Sequence, residues 1–147
     1  MKWMTPTMEV AYYIGYNLRK EDAEEVALSH GVQPVDAVVS SYVNSRRVAA
    51  FETEDGEPCG MCGVNGSRVW MLGTPRLLET ARNRWQLAVV GRQWVDVCVE
   101  ELGPLYNYVY AKNERSAKWL SHLGFTVDVP EPYGYAKALF RRFWRCS

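Results

Sequence analysis

No stretch of this 147-residue chain approaches the roughly 20 consecutive apolar residues that cross a bilayer, and Met1 to Pro6 lack the apolar run of a secretory signal. A soluble, cytoplasmic product is the expectation. Charge of one sign is equally scarce: 17 Lys and Arg balance 17 Asp and Glu, which excludes a global pull toward nucleic acid or an anionic membrane. Cysteines number four, too few for a disulfide scaffold. Cys59 and Cys62 have C-x-x-C spacing, but a zinc site needs a second pair and only the distant Cys98 and Cys146 remain, so no metal is expected. If Pro58 to Val64 is a strand, two thiols three residues apart point to opposite faces, which excludes a redox pair and leaves ordinary reduced cysteines. Linkers, repeats and low-complexity tracts are absent too, and one domain over residues 1–147 follows.

Aromatic residues, in contrast, are plentiful: 13% of the chain, with six Trp and nine Tyr, enough for an aromatic core or an aromatic contact surface. Apolar spacing of three and four predicts a helix from Thr7 through Val10, Ala11, Ile14 and Leu18, another over Glu21 to Ser29, and a third from Pro34 to Asn44. The acidic run Glu21, Asp22, Glu24 and Glu25 reads as a solvated first turn that complements the helix dipole. Strands follow at Val48 to Phe51, Pro58 to Val64 and Arg68 to Leu72, separated by Asp55-Gly56 and Asn65-Gly66 turns, which make a meander. Thr74-Pro75 opens a helical region, Arg84 to Leu102 is the longest helix, and Gly103-Pro104 stops it. Leu105 to Ala111 is a strand with Tyr106, Tyr108 and Tyr110 on one face, Glu114 to Leu123 a helix capped by Asn113, and Phe125 to Val129 a strand. The last segment, Ala138 to Arg145, has helical spacing but a strand's composition, and reads as an edge strand after a loop.

The stretch Asn113-Glu114-Arg115-Ser116-Ala117-Lys118-Trp119-Leu120-Ser121-His122-Leu123-Gly124-Phe125, with this element order, resembles the Gcn5-related N-acetyltransferases. That resemblance implies an α/β (α+β) domain with a mixed, mostly antiparallel sheet flanked by helices. Asn17-Leu18-Arg19 with Asp22 and Glu25-Val26, Trp70 to Thr74, Leu105 to Val109 and Lys118 to Leu120 are similar to a narrower group, the phage proteins related to internal virion protein A of short-tailed coliphages.

The family holds the coenzyme A pyrophosphate on a Gln/Arg-x-x-Gly-x-Gly/Ala loop, where bare backbone approaches the phosphates at a helix N-terminus. Arg76-Leu77-Leu78-Glu79-Thr80-Ala81 supplies the Arg and the Ala, but Glu79 replaces the central Gly, and its carboxylate reads as a repulsive plug in an ordinary helix. The family's acid, a Tyr seven residues after the Asn, is Leu120 here. His122 and His30 read as surface residues, and no catalytic residue is assigned. If coenzyme A binds, the resemblance gives Arg76 and Asn113 to it, although helix capping alone accounts for Asn113. Arg141, Arg142, Trp144 and Arg145 form a candidate contact for a protein partner, with nucleic acid less favoured. The leading expectation is a non-catalytic virion-assembly protein without cofactor, partnered by other phage components in the host cytoplasm or the particle. The alternatives are a divergent acetyl-CoA-dependent N-acetyltransferase acting on a host or phage protein, and a host-interaction module directed at a defence system.

Overall fold

Thr7 ends an extended run and accepts a hydrogen bond from the Val10 N–H, so the chain turns into its first helix there. In the computed structural model, which describes residues 1–147, the elements are β1 Lys2–Met4, α1 Met8–Tyr16, α2 Lys20–His30, α3 Pro34–Asn44, β2 Arg47–Glu52, β3 Pro58–Asn65 and β4 Arg68–Gly73. A 3-10 turn, Pro75–Leu78, leads into α4 Ala81–Leu102, then β5 Leu105–Tyr110, α5 Glu114–His122, β6 Thr126–Tyr133 and β7 Ala138–Arg145. One seven-stranded sheet has the order β1-β2-β3-β4-β5-β7-β6, antiparallel everywhere except between β4 and β5. No helix is long and apolar enough to cross a membrane.

Alternation within each strand sends apolar side chains to both faces, and helices cover both. Val10, Ala11, Ile14 and Val38 of α1 and α3 pack on Ala50, Met61 and Leu72. On the opposite face Val95, Cys98 and Val99 of α4, Leu120 of α5 and Leu123 at its C-cap meet Val64, Val69, Leu105, Val109 and Phe143. Each Val, Leu, Ile, Met or Phe among them, fully buried, contributes about 1.5–3 kcal/mol. The C-terminus of α2 is roofed by the β6–β7 turn, whose Tyr135 and Ala136 N–H groups donate to the Ser29 and Leu28 carbonyls. That approach needs glycine. Gly134 has φ +76°, and a Cβ there would lie 2.5 Å from the Ser29 oxygen.

Several expectations change. β1 escapes a pattern reading because three residues show no period, yet Trp3 stacks on Phe51 with ring centroids 4.5 Å apart. The segment 76–81 is not an ordinary helix: the 3-10 turn ends at Glu79, Thr80 is extended, and its side chain caps α4 by accepting from Asn83 N–H. The final segment is a strand, but β7 lies inside the sheet between β5 and β6, not at its edge. β6 takes the edge and runs on through Pro130 and Pro132, positions an edge strand tolerates because its outer N–H groups need no partner. Cys59 and Cys62 share one apolar cluster with Phe51, Leu77 and Leu87. The register shift between Phe51 and Glu52 inserts a bulge beside Cys59 and breaks the strict alternation. Both thiols are free, and burial pushes Cys59 up to about 11 and Cys62 higher still, so both stay protonated.

Candidate active site

β4 and β5 start side by side and then part. Arg68 opposite Tyr106 is their single bridge. Beyond it the strands diverge around a cavity of about 1090 Å³, bounded by α2 on one face of the sheet and by α4 and α5 on the other. Such a volume is at the upper end of small-molecule sites.

The register of β4 shows what the gap exposes. Its even-numbered residues bond to β3, an alternation that Thr74 N–H continues by donating to the Cys59 carbonyl, so Val69, Met71 and Gly73 turn their backbone groups toward β5. Asn107 Nδ2 donates to the Val69 carbonyl at 2.7 Å. Gly73 is held by α2: its N–H donates to Asp22 Oδ2 at 3.0 Å, and its carbonyl accepts from Arg19 N–H at 2.9 Å. Met71, between them, points its N–H and carbonyl into the gap, where β5 no longer pairs. An interior strand edge left open in this way suits an extended, amide-bearing ligand.

Chains of known structure resemble this arrangement at low sequence identity. A mutant of the Vibrio cholerae spermidine N-acetyltransferase superposes with a TM-score of 0.68 at 11% identity over 99% of this chain and 95% of its own. The same enzyme with CoA and spermine scores 0.65 at 12% identity over 99% and 94%. The ribosomal-protein-S5-alanine acetyltransferase of Vibrio fischeri scores 0.66 at 13% identity over 98% and 91%. This is the Gcn5-related N-acetyltransferase fold. No protein-family model matches the chain, and no curated protein matches it in sequence.

In this acetyltransferase fold the acidic run of α2 is not a solvated face. Glu21 and Glu24 are exposed, but Asp22 and Glu25, three apart and in line with Val26 and Ser29, turn inward and line the cavity. Glu25 Oε1 accepts from the Tyr110 N–H at 3.0 Å and from Asn113 Nδ2 at 2.7 Å. The two carboxylates thus tie α2 to the ends of both diverging strands. Burial pushes Asp22 up to about 7, partly offset by the Arg19 guanidinium and the Gly73 N–H, while neighbouring Glu25 adds to the rise. Burial raises Glu25 as well, against the hydrogen bonds from Tyr110 and Asn113 and the charge of Arg19. Their three-residue spacing, in line with Val26, is the one signal in the sequence that sets this pair apart from Glu21 and Glu24.

Asn113 stands at the N-cap of α5 as expected, but its side chain makes no capping bond and spans to Glu25 instead, so capping does not account for it. Arg76 is clamped by three carboxylates: Asp55 at 3.2 Å, Glu79 at 3.1 Å and Glu57 at 2.5 Å, the last also receiving the Tyr13 hydroxyl. These partners hold the Arg76 guanidinium well above its usual range. Glu79 spends its charge on Arg76 at the surface. The predicted contact residues divide between two faces. Arg141 and Arg145 share the α4 and α5 side with Phe143; Arg142 and Trp144 lie on the α2 side with Tyr106 and Tyr108. Arg145 is half-buried against Asp96 at 2.5 Å and the Leu123 carbonyl at 3.0 Å, and Arg141 and Trp144 both bond to Asp128.

The donors present fit coenzyme A. Apolar walls from Leu87, Trp94, Trp119 and Phe125 and the free Met71 edge match an arm of methylenes and amides. Arg84 in the first turn of α4, Lys112 in the β5–α5 loop and Arg115 in the first turn of α5 line the cavity without an ion pair, and the break at Thr80 leaves the first N–H groups of the 22-residue α4 at its start. Leu120 is buried in the core and offers no proton.

Proposed function

We propose that the chain is an acetyl-CoA-dependent N-acetyltransferase. The open edge of β4 at Met71, facing a cavity with two inward carboxylates, carries this reading. Acetyl-coenzyme A, when bound, supplies an acetyl thioester whose C–S bond breaks as the acceptor amine forms its C–N bond, the sulfur leaving with the electron pair. The Met71 N–H offers the carbonyl oxygen a donor fixed by the sheet, which needs no reorganisation as charge develops. Asp22, ionised about half the time near neutral pH, takes the proton that the attacking amine must lose. Desolvation serves that role, because a base poised near the working pH is the most effective. A thiolate with an ordinary pKa of about 8.5 leaves without prior protonation, so Leu120 in place of a phenol is compatible with turnover. The test is release of free thiol from acetyl-coenzyme A with a panel of amines. Activity that falls by about 100-fold or more in Asp22→Asn supports the reading, and a variant as active as the parent contradicts it.

One observation favours a second reading, a non-catalytic scaffold, of which a role in virion assembly is one form. Asp22 and Glu25 are themselves the acceptors for Gly73 and Tyr110, so both carboxylates have a structural use. Mass spectrometry of purified particles containing the chain, together with no thiol release, would favour that reading.

A further inference from the structure

On the α4 side of the sheet the cavity continues past Met71 toward the closed end of the gap. β4 and β5 run parallel, so α4, which connects them, starts beside the Gly73 end and passes back toward the Arg68–Tyr106 bridge. Arg84, Leu87, Gly91, Trp94 and Val95 line the cavity as one stripe at helical spacing, about 16 Å long at 1.5 Å per residue. The charge of this stripe sits at its beginning, in Arg84. At the far end the lining is Val69, Val95, Leu120, Leu123, Phe125 and Phe143, all members of the core on this face. Asn107 lies among them, but its Nδ2 is engaged by the Val69 carbonyl and its Oδ1 by the Tyr108 N–H. Leu120, which offers no proton, keeps this wall apolar where a hydroxyl would need a partner. Protein interiors are otherwise close-packed, and a cavity walled by aliphatic and aromatic side chains takes apolar guests.

Resting on the transferase reading, we propose that this closed apolar end receives the acyl chain of the donor, so the preferred donor is a coenzyme A thioester of several carbons, butyryl to octanoyl, which acetyl underfills. The Met71 N–H holds the thioester carbonyl, and Val69 lies two residues further from the phosphate end, about 7 Å away at 3.3 Å per residue. Between those levels Val95, Leu120 and Phe125 offer the chain hydrocarbon on all sides. The transfer itself is unchanged: the C–S bond breaks, the C–N bond to the amine forms, Asp22 takes the amine's proton, and the sulfur leaves with the electron pair. Each methylene moved from water into this chamber adds about fourfold in affinity, so the site sorts donors by chain length. A carboxylated or hydroxylated acyl chain fits poorly, because both polar atoms of Asn107 are already engaged.

The test is calorimetric titration of the protein with coenzyme A and with its acetyl, butyryl, hexanoyl and octanoyl thioesters, kept below the concentration at which the longest forms micelles. The expected result is affinity that climbs by about fourfold per methylene until the chamber is full, so that butyryl exceeds acetyl by about tenfold or more. Val95→Phe, which fills the closed end, should flatten that climb, with its melting curve as the control for folding. In the parent protein, which needs no variant, the octanoyl thioester should shift the Val95 and Leu123 amide signals that the acetyl thioester leaves in place; these shifts decide the matter if Val95→Phe does not fold. Affinity that does not rise beyond acetyl, a climb undiminished in folded Val95→Phe, or unmoved Val95 and Leu123 amides would overturn this proposal while leaving the transferase reading intact. Failure of coenzyme A and of every thioester to bind would overturn both.

Discussion

Replacing Asp22 by Asn should stabilise the protein in mild alkali while removing its activity. In the unfolded chain this carboxyl titrates at its ordinary value of 3.8, and in the fold it titrates at about 7. Between those values the folded chain holds a proton that the unfolded chain has lost, so stability falls as pH rises through the window and is lowest above it. Roughly three pH units at 1.36 kcal/mol each give a cost of about 4 kcal/mol above neutrality. Asn keeps an acceptor for the Gly73 N–H, and the attraction to Arg19, 3.7 Å away, is already contained in the folded value of about 7; the buried amide hydrogens, which lack a partner, offset about half that gain. For a chain of this size about 2 kcal/mol is a rise of roughly 4–8 °C in Tm at about pH 8, shrinking toward zero at about pH 5. Differential scanning calorimetry of both proteins across that range is the assay. A Tm difference that does not change with pH would refute the argument that burial of this carboxylate is costly.

Glu25→Gln should leave the Tyr110 N–H an acceptor but weaken the bond to Asn113, costing about 1 kcal/mol or less and raising exchange of the Tyr110 amide. Gly134→Ala should destabilise by about 1–3 kcal/mol, because the added methyl meets the Ser29 carbonyl at a positive φ; a chemical denaturation curve shows it as a lower midpoint. Arg145→Ala should cost about 1 kcal/mol, because half-exposed Asp96 is resolvated and the main loss is the donor to the Leu123 carbonyl, with acetyl-coenzyme A affinity unchanged by calorimetry. A thiol reagent should label the exposed Cys146 in the native protein and reach buried Cys59, Cys62 and Cys98 only in denaturant, as counted by mass spectrometry.

Helix periods, turn dipeptides and the Tyr106, Tyr108 and Tyr110 alternation are local signals, and the elements they predict are present. What escaped the sequence depends on pairing between distant segments. The inner position of β7 is set by the β6–β7 hairpin folding back beside β5, which no window of residues encodes. The bulge at Cys59 follows from the register with Phe51 and Glu52. At the site, the resemblance named Arg76 and Asn113, and both have side-chain partners that spacing cannot show: three carboxylates for one, Glu25 for the other. Asp22 and Glu25 look like helix-dipole acids until the strand ends they reach are in view. Glu79, read as a plug, is a surface partner of Arg76.

The account stands on the unpaired edge of β4. Titration of nitrogen-labelled protein with acetyl-coenzyme A, followed by calorimetry and by the backbone amide spectrum, tests it most directly. The prediction is saturable binding with Met71 N–H among the most shifted amides. No heat and an unmoved Met71 signal at millimolar ligand would contradict it.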